Sequence, residues 1–183
     1  MGQGTVEVDD HHNRCMDIDL VKDYIQEYGL YIQLFACMAY VAKFKAADSF
    51  VVMVVGILLL GPAHLLYQNL LLDLAQLEQN RVMVRNLWYF GFAATDIMMV
   101  FIVYGLCMRW KLKFDVVSKL MAGAFVTMAM IQVIGYIDQV ITETNYLADF
   151  YMTSIPLINI GVTIVILSTA LATVLVSMFY DER

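Results

Sequence analysis

Residues 49–72 read SFVVMVVGILLLGPAHLLYQNLLL, a stretch in which no side chain is charged unless His64 takes up a proton. A transmembrane helix needs about 20 predominantly apolar residues, so this stretch is long enough to cross a bilayer as a helix. Three later stretches share this character, interrupted only by Asp96 in the second and Asp138 in the third. The sequence therefore predicts four transmembrane helices, at about 49–72, 87–108, 120–141 and 155–180.

The composition of the whole chain agrees with this prediction. Of 183 residues, 61% are hydrophobic and only 15% are charged, whereas soluble domains are about 45–50% apolar and about 25% charged. These values exclude a disordered chain, a basic nucleic-acid-binding protein and an ordinary cytosolic enzyme. We therefore expect an all-α integral membrane protein, a four-transmembrane-helix bundle with small extramembrane parts.

The region before the bundle is divided into an acidic flexible tail at 1–16 and an amphipathic helix within 17–47, with the bundle at 48–183. In the helix, apolar residues recur at a spacing of three and four, and polar residues do so on another face. The apolar set is Ile18, Val21, Ile25, Tyr28, Ile32, Phe35 and Ala39, and the polar set is Asp19, Lys22, Gln26, Gly29 and Gln33.

Two interpretations of this amphipathic helix remain open. In the first, the helix lies on the membrane surface or under the bundle on the cytoplasmic side. In the second, it is a fifth transmembrane helix whose polar stripe is hidden against its neighbours. Positively charged loops face the cytoplasm. With four spans, nine basic residues lie inside and two outside; with five, seven lie inside and four outside. We prefer four spans, with the N- and C-termini both cytoplasmic.

Each predicted span carries one polar residue at about the same depth. At 1.5 Å per residue, each of the four lies about 12–13 Å from the outer end of its span. They are His64, Asp96, Gln132 and Thr163. One interpretation is structural, with hydrogen bonds that fix helix pairing. The second is a proton or cation relay with an Asp–His pair as the titrating unit, and the third is a subunit interface or pore.

Two other features accompany this layer. Asp138 and Asn159 form a second polar layer nearer the outer surface. The dipeptide Gly61-Pro62 directly precedes the turn that contains His64. Proline removes a backbone donor and clashes with the preceding turn, so we expect a kink, which either acts as a hinge or simply shapes the bundle.

Motifs for catalysis and cofactor binding do not occur in the sequence. It has no GxSxG, HExxH, P-loop or GxGxxG pattern. Its three cysteines, Cys15, Cys37 and Cys107, are widely spaced and form no CxxC pair. The tail 9–15 contains possible metal ligands, but no second cluster completes a site. We therefore predict no catalytic residues, no cofactor and no metal.

In its size, its four-span plan and its lack of catalytic motifs, the chain resembles the small membrane subunits of bacterial defence systems. Among these it resembles the KwaA-like membrane subunits of the Kiwa anti-phage system. The resemblance covers the overall plan and is carried by no single residue. It implies a membrane sensor that forms oligomers and holds a cytoplasmic nucleic-acid-binding effector.

These observations lead to two functional hypotheses. The first is a non-enzymatic, oligomeric sensor or anchor in the bacterial inner membrane. It would contact lipid, other copies of itself and a cytoplasmic protein, without binding nucleic acid directly. Its docking surface combines acidic and basic residues: Asp9, Asp10, Asp17, Asp19, Lys111 and Lys113. The alternative is a small ion or proton channel or transporter, with a route lined by His64, Asp96 and Gln132.

Overall fold

The computed structural model describes residues 28–43 and 48–180, and within these residues it contains helices and no strands. Helix α1 is helical throughout 28–43. The helices that follow are α2 (Ser49–Ala75), α3 (Arg81–Arg109), α4 (Val116–Tyr136) and α5 (Ala148–Tyr180). A 3₁₀ turn at Glu78–Asn80 precedes α3, and a π-helical turn at Ile137–Ile141 extends α4.

The four predicted spans are confirmed as helices that are long and apolar enough to cross a membrane. The helices are longer than the apolar stretches that predict them. Helix α3 begins at Arg81 rather than at residue 87, and α5 begins at Ala148 rather than at residue 155. Helical hydrogen bonding continues past the apolar stretch, because adding a residue to an existing helix costs little.

A hydrogen bond connects the N-termini of α2 and α4 at one end of the bundle. Asp48 caps α2 by accepting a hydrogen bond from the Val51 N–H at 2.9 Å, and Asp115 caps α4 by accepting one from the Ser118 N–H at 2.6 Å. The Ser118 hydroxyl then donates to the Ser49 hydroxyl at 3.0 Å. Helices α2 and α4 therefore run parallel, and α3 and α5 run in the opposite direction. We name the two ends of the bundle after their loops, the 110–115 end and the 142–147 end.

Helix α1 packs along the bundle and runs opposite to α2. Near the 110–115 end, the Tyr40 ring lies 4.9 Å from the Phe50 ring, measured between centroids. Farther along, Leu30 borders Gly61, where a Cβ atom would lie 3.4 Å from Leu30 Cδ1. Ten residues of helix separate the two contacts on α1, which corresponds to about 15 Å. The described part of α1 therefore lies beside the apolar part of α2.

The inward side of α1 carries Gln33 among small and aromatic residues, and large apolar side chains lie on its outward side. Gln33 is buried and donates a hydrogen bond to the Thr163 hydroxyl of α5 at 2.8 Å. Most exposed residues of α1 are instead large and apolar, namely Tyr28, Tyr31, Leu34, Phe35, Met38 and Val41, and the exposed Ala42 and Lys43 follow at its end. This orientation is the reverse of the one found on a water-exposed helix of a soluble protein.

Candidate functional site

The antiparallel helices α2 and α3 bring His64 and Asp96 together inside the bundle. The His64 Nε2 atom lies 3.9 Å from the Asp96 Oδ1 atom, which is too far for a hydrogen bond. Asp96 is only 3% exposed, and its Oδ1 atom is buried without a hydrogen-bond partner among the described residues. The sequence-predicted Asp–His pair is therefore present as neighbours that do not bond to each other.

The imidazole is held by Thr95 rather than by Asp96. His64 Nε2 lies 2.7 Å from the Thr95 hydroxyl oxygen. That hydroxyl donates its only hydrogen to the Phe92 carbonyl at 2.9 Å, so it must accept from His64. The Phe92 ring also contacts the imidazole edge-on, with 5.0 Å between centroids. The imidazole therefore carries its hydrogen on Nε2 and donates it in a hydrogen bond to the Thr95 hydroxyl. Asp96 Oδ1 receives no hydrogen bond from His64.

An unpartnered carboxylate oxygen is costly at this depth. Buried polar groups in proteins almost always have a partner, and an exception is explained by strain, by an ordered water or ion, or by a functional role. Ionisable residues inside membrane spans are likewise rare and are associated with ion or proton binding. One carboxylate and one imidazole are sufficient to bind a proton. The geometry at Asp96 Oδ1 thus provides an acceptor for a proton.

His64 reaches the surface of the described bundle, whereas Asp96 is enclosed within it. The His64 side chain is 24% exposed at the surface of α2. From Asp96 toward the 110–115 end, the inward residues of α3 are apolar and buried: Met99, Val103 and Cys107. Gly56 of α2 packs against this row, where a Cβ would lie 2.9 Å from Val103 Cγ2. About 20 Å of helix therefore separates Asp96 from the 110–115 end, and its inward residues leave no polar opening in the described chain.

Gln132 belongs to a second cluster that joins α3, α4 and α5. Its Oε1 atom accepts a hydrogen bond from the Tyr151 hydroxyl at 2.6 Å, and that hydroxyl accepts one from Trp88 Nε1 at 3.2 Å. Among the described residues, no hydrogen bond links Gln132 to His64 or Asp96. Sequence reasoning did not find Tyr151 and Trp88 as partners, because both fit equally well in an interfacial aromatic belt.

Thr163 also has partners of its own. Its hydroxyl accepts the hydrogen bond from Gln33 of α1 and donates to the Asn159 carbonyl at 3.0 Å. The polar residues predicted to form one layer therefore belong to three separate groups. One group surrounds Asp96, one surrounds Gln132 and one surrounds Thr163. Helix rise alone suggests equal depth, but it does not specify which way each residue points.

The two residues of the outer polar layer are also separate in the structure. Asp138 lies in the π-helical turn, where its carboxylate accepts hydrogen bonds from the Thr144 hydroxyl at 2.6 Å and from the Leu147 N–H at 2.9 Å. It also accepts one from the Tyr146 N–H at 3.2 Å. It thereby holds the 142–147 loop at the start of α5. Asn159, in contrast, is exposed on the outer surface of α5.

The other predicted site residues are placed as follows. Helix α2 continues through Gly61 and Pro62 without interruption, with Pro62 exposed. Lys111 and Lys113 are exposed around the loop between α3 and α4. The acidic docking residues Asp9, Asp10, Asp17 and Asp19 lie outside the described residues, as do the possible metal ligands of the tail. Within 28–43 and 48–180, no group of three metal-binding side chains is assembled.

Comparisons of the chain with models of known protein families, with curated proteins and with solved structures found no match.

Proposed function

We propose that the protein is a non-enzymatic membrane sensor whose sensory group is the His64–Asp96 pair and whose ligand is a proton. The observation that carries the proposal is the Asp96 Oδ1 atom, buried and unpartnered 3.9 Å from His64 Nε2 within the described chain. The apolar row behind Asp96 favours a sensor over a pore, because it leaves no polar route through the described part of a single chain.

Proton uptake would change the force between α2 and α3. A proton added to Asp96 neutralises the carboxylate and gives Oδ1 a hydrogen to donate, and His64 accepts it at Nε2 in the tautomer that carries the ring hydrogen on Nδ1. Such a hydrogen bond is about 2.9 Å long, so closing the gap from 3.9 Å brings the two helices about 1 Å closer at this level. The movement occurs close to Pro62, where α2 lacks one backbone hydrogen bond.

Helix α1 is the element placed to respond to this movement. Leu30 of α1 borders Gly61, directly before Pro62 and close to His64 in sequence. Gln33 links α1 to α5 through Thr163. A shift of α2 would therefore reach α1, and through it α5, without a change in secondary structure. Sub-ångström to 1 Å shifts of packed helices are a common means of transmission in switching proteins.

We further propose that α1 crosses the membrane, so that the chain has five spans. Its outward large apolar side chains and its inward Gln33 suit a lipid-facing helix, and its packing along α2 supports this interpretation over a helix lying flat on the surface. Residues 28–43 account for about 24 Å of the roughly 30 Å needed. The N-terminus is then outside and the C-terminus cytoplasmic, with seven basic residues inside against four outside.

With five spans, the docking surface for a cytoplasmic partner is basic. Arg109, Lys111 and Lys113 are exposed at the 110–115 end, whereas the acidic tail lies on the opposite side. We propose that this loop binds a cytoplasmic protein at the bacterial inner membrane, and that the protein works as an oligomer. The resemblance to Kiwa membrane subunits makes a nucleic-acid-binding effector the class of partner to look for.

The second candidate function is a proton channel or transporter formed between copies of the chain. The observation that favours it is the exposure of polar groups on the bundle surface, His64 on α2 and Asn159 on α5. Neighbouring copies would place these groups in a shared path that one chain lacks.

The sensor proposal is tested with a fluorescent label on α1 in lipid nanodiscs. Leu34 is exposed, and Cys37 and Cys107 are buried, so Leu34→Cys in a Cys15→Ser background gives one reactive site. We expect the label's emission to titrate with pH, and we expect the titration to disappear in Asp96→Asn and in His64→Ala. Asp73→Asn, which changes an exposed carboxylate on the same helix pair, is the matched control and keeps the titration. An unchanged titration in Asp96→Asn would refute the proposal.

Proton flux in liposomes distinguishes the two functions. Under an imposed pH gradient, a sensor gives no flux above that of empty vesicles. Flux that exceeds the empty vesicles and is lost in Asp96→Asn would establish the channel or transporter instead.

A further inference from the structure

An open groove lies between α4 and α5 on the outer surface of the bundle. It has a volume of about 520 Å³, which is in the range of small-molecule binding sites, about 300–1,000 Å³. Two glycines keep it open: a Cβ atom on Gly123 of α4 or on Gly161 of α5 would have no neighbour within 4 Å. The groove is thus a space that the described side chains leave unfilled.

The groove is apolar except at the end where Lys119 lies. Leu120 and Ala124 of α4 face Val162 and Val165 of α5 across it. The one hydroxyl in the described lining belongs to Thr127, and it donates to the Gly123 carbonyl of its own helix at 2.9 Å. The interior therefore offers no free polar hydrogen for a ligand to bond, and it suits a hydrocarbon chain.

The end of the groove nearest the 110–115 loop carries a positively charged side chain. Lys119 lines the groove and is exposed, one turn from the start of α4. Within the described residues, no carboxylate forms an ion pair with its ammonium group. Lys111 and Lys113 are exposed close by in sequence. The acidic residue of that loop, Asp115, already accepts a hydrogen bond from the Ser118 N–H.

The length of the groove corresponds to one leaflet of a bilayer. From Lys119 to Thr127 is eight residues of helix, or about 12 Å, and half of the hydrocarbon core is about 15 Å. The basic end lies at the membrane surface and the apolar part runs toward the bilayer centre. A ligand that matches both parts has an anionic head and a long hydrocarbon chain.

We propose that the α4–α5 groove binds an anionic phospholipid from the leaflet at the 110–115 end. Its phosphate would contact Lys119, and one acyl chain would lie along Gly123 and Gly161. Charge complementarity favours a lipid over a second copy of the chain. A second copy packed in the same groove would bring another Lys119 and another basic loop, whereas an anionic lipid brings the opposite charge. The proposal is independent of the His64–Asp96 site.

Native mass spectrometry of the purified protein tests the proposal with phosphatidylglycerol and phosphatidylcholine as probes. We expect the wild-type protein to retain phosphatidylglycerol in preference to phosphatidylcholine. Lys119→Gln lowers retention of phosphatidylglycerol by about fivefold, the effect of one basic residue at a membrane surface. Gly123→Leu fills the groove and lowers retention of both lipids at this site.

Two matched variants serve as controls. Gly105 of α3 lies outside the groove, and a Cβ atom placed on it would likewise have no neighbour within 4 Å, so Gly105→Leu leaves retention unchanged. Lys113→Gln removes one basic charge outside the groove and has a smaller effect than Lys119→Gln. Equal retention of both lipids by the wild type would overturn the proposal. So would a change of oligomeric state in Gly123→Leu with lipid retention unchanged, which would identify the groove as an interface between copies.

Discussion

Asp96 and Asp138 differ in what surrounds their carboxylates. Asp138 accepts hydrogen bonds from a hydroxyl and two backbone N–H groups, which hold the loop before α5. Asp96 has a buried Oδ1 atom without a partner in the described chain, next to an imidazole that bonds elsewhere. The first carboxylate stabilises a local turn, whereas the second is the one that we propose takes up a proton.

Removing the charge of Asp138 tests this structural assignment. Asp138→Asn replaces one acceptor oxygen by an NH₂ group that cannot accept from the Leu147 or Tyr146 N–H. We expect the thermal unfolding midpoint in nanodiscs to fall by a few degrees, while the pH response of α1 stays intact. Glu143→Gln, which changes an exposed carboxylate in the same loop, should leave the midpoint unchanged. Loss of the pH response in Asp138→Asn would show that the outer layer belongs to the sensory site.

Sequence reasoning identified His64 and Asp96 but not the arrangement around them. Depth along a helix follows from residue counting, so their shared level was predictable, but their direction within the bundle was not. Which atoms bond depends on helix rotation and on a third residue, Thr95, whose hydroxyl takes the imidazole hydrogen. Thr163 shows the same limit, because its partner is Gln33 of α1 rather than the residues at the depth predicted for it.

At the scale of the secondary-structure elements, α1 shows that its neighbours determine which face of an amphipathic helix contacts protein. The periodicity of 17–47 predicts two faces but does not state which one contacts protein. In the structure, Gln33 faces α5 and Phe35 faces outward. The four longer helices were predictable because about 20 apolar residues leave little choice of environment. The described part of α1 is shorter and more polar, so its place depends on its neighbours.

The side of the membrane on which Cys15 lies tests whether α1 is a span. In intact spheroplasts, we expect a membrane-impermeant maleimide to label Cys15 from outside. Lys111→Cys in a Cys15→Ser background, with its thiol in the 110–115 loop, should be labelled only after the membrane is permeabilised. Labelling of Cys15 that also requires permeabilisation would contradict five spans and support a cytoplasmic N-terminus. The buried Cys37 and Cys107 contribute little labelling in either case.

At the scale of the whole molecule, polar and apolar regions are arranged along the bundle axis. The His64–Asp96 pair lies near the middle of the bundle, and the Gln132–Tyr151 cluster lies closer to the 142–147 end. Between Asp96 and the Ser49–Ser118 pair at the 110–115 end the core is apolar, with Met53, Val54 and Met121 no more than 1% exposed. A proton that reaches Asp96 therefore meets a closed interior. This arrangement agrees with our proposal that proton uptake causes a small movement of helices.

Infrared difference spectroscopy of the protein in nanodiscs tests most directly whether Asp96 takes up a proton. The carbonyl stretching band of a protonated carboxyl group in an apolar environment is distinct from the bands of exposed carboxylates. We predict a band that appears and disappears as the pH is varied and that is absent from Asp96→Asn, while Asp73→Asn retains it. Spectra of the wild type and Asp96→Asn that change identically with pH would contradict the account.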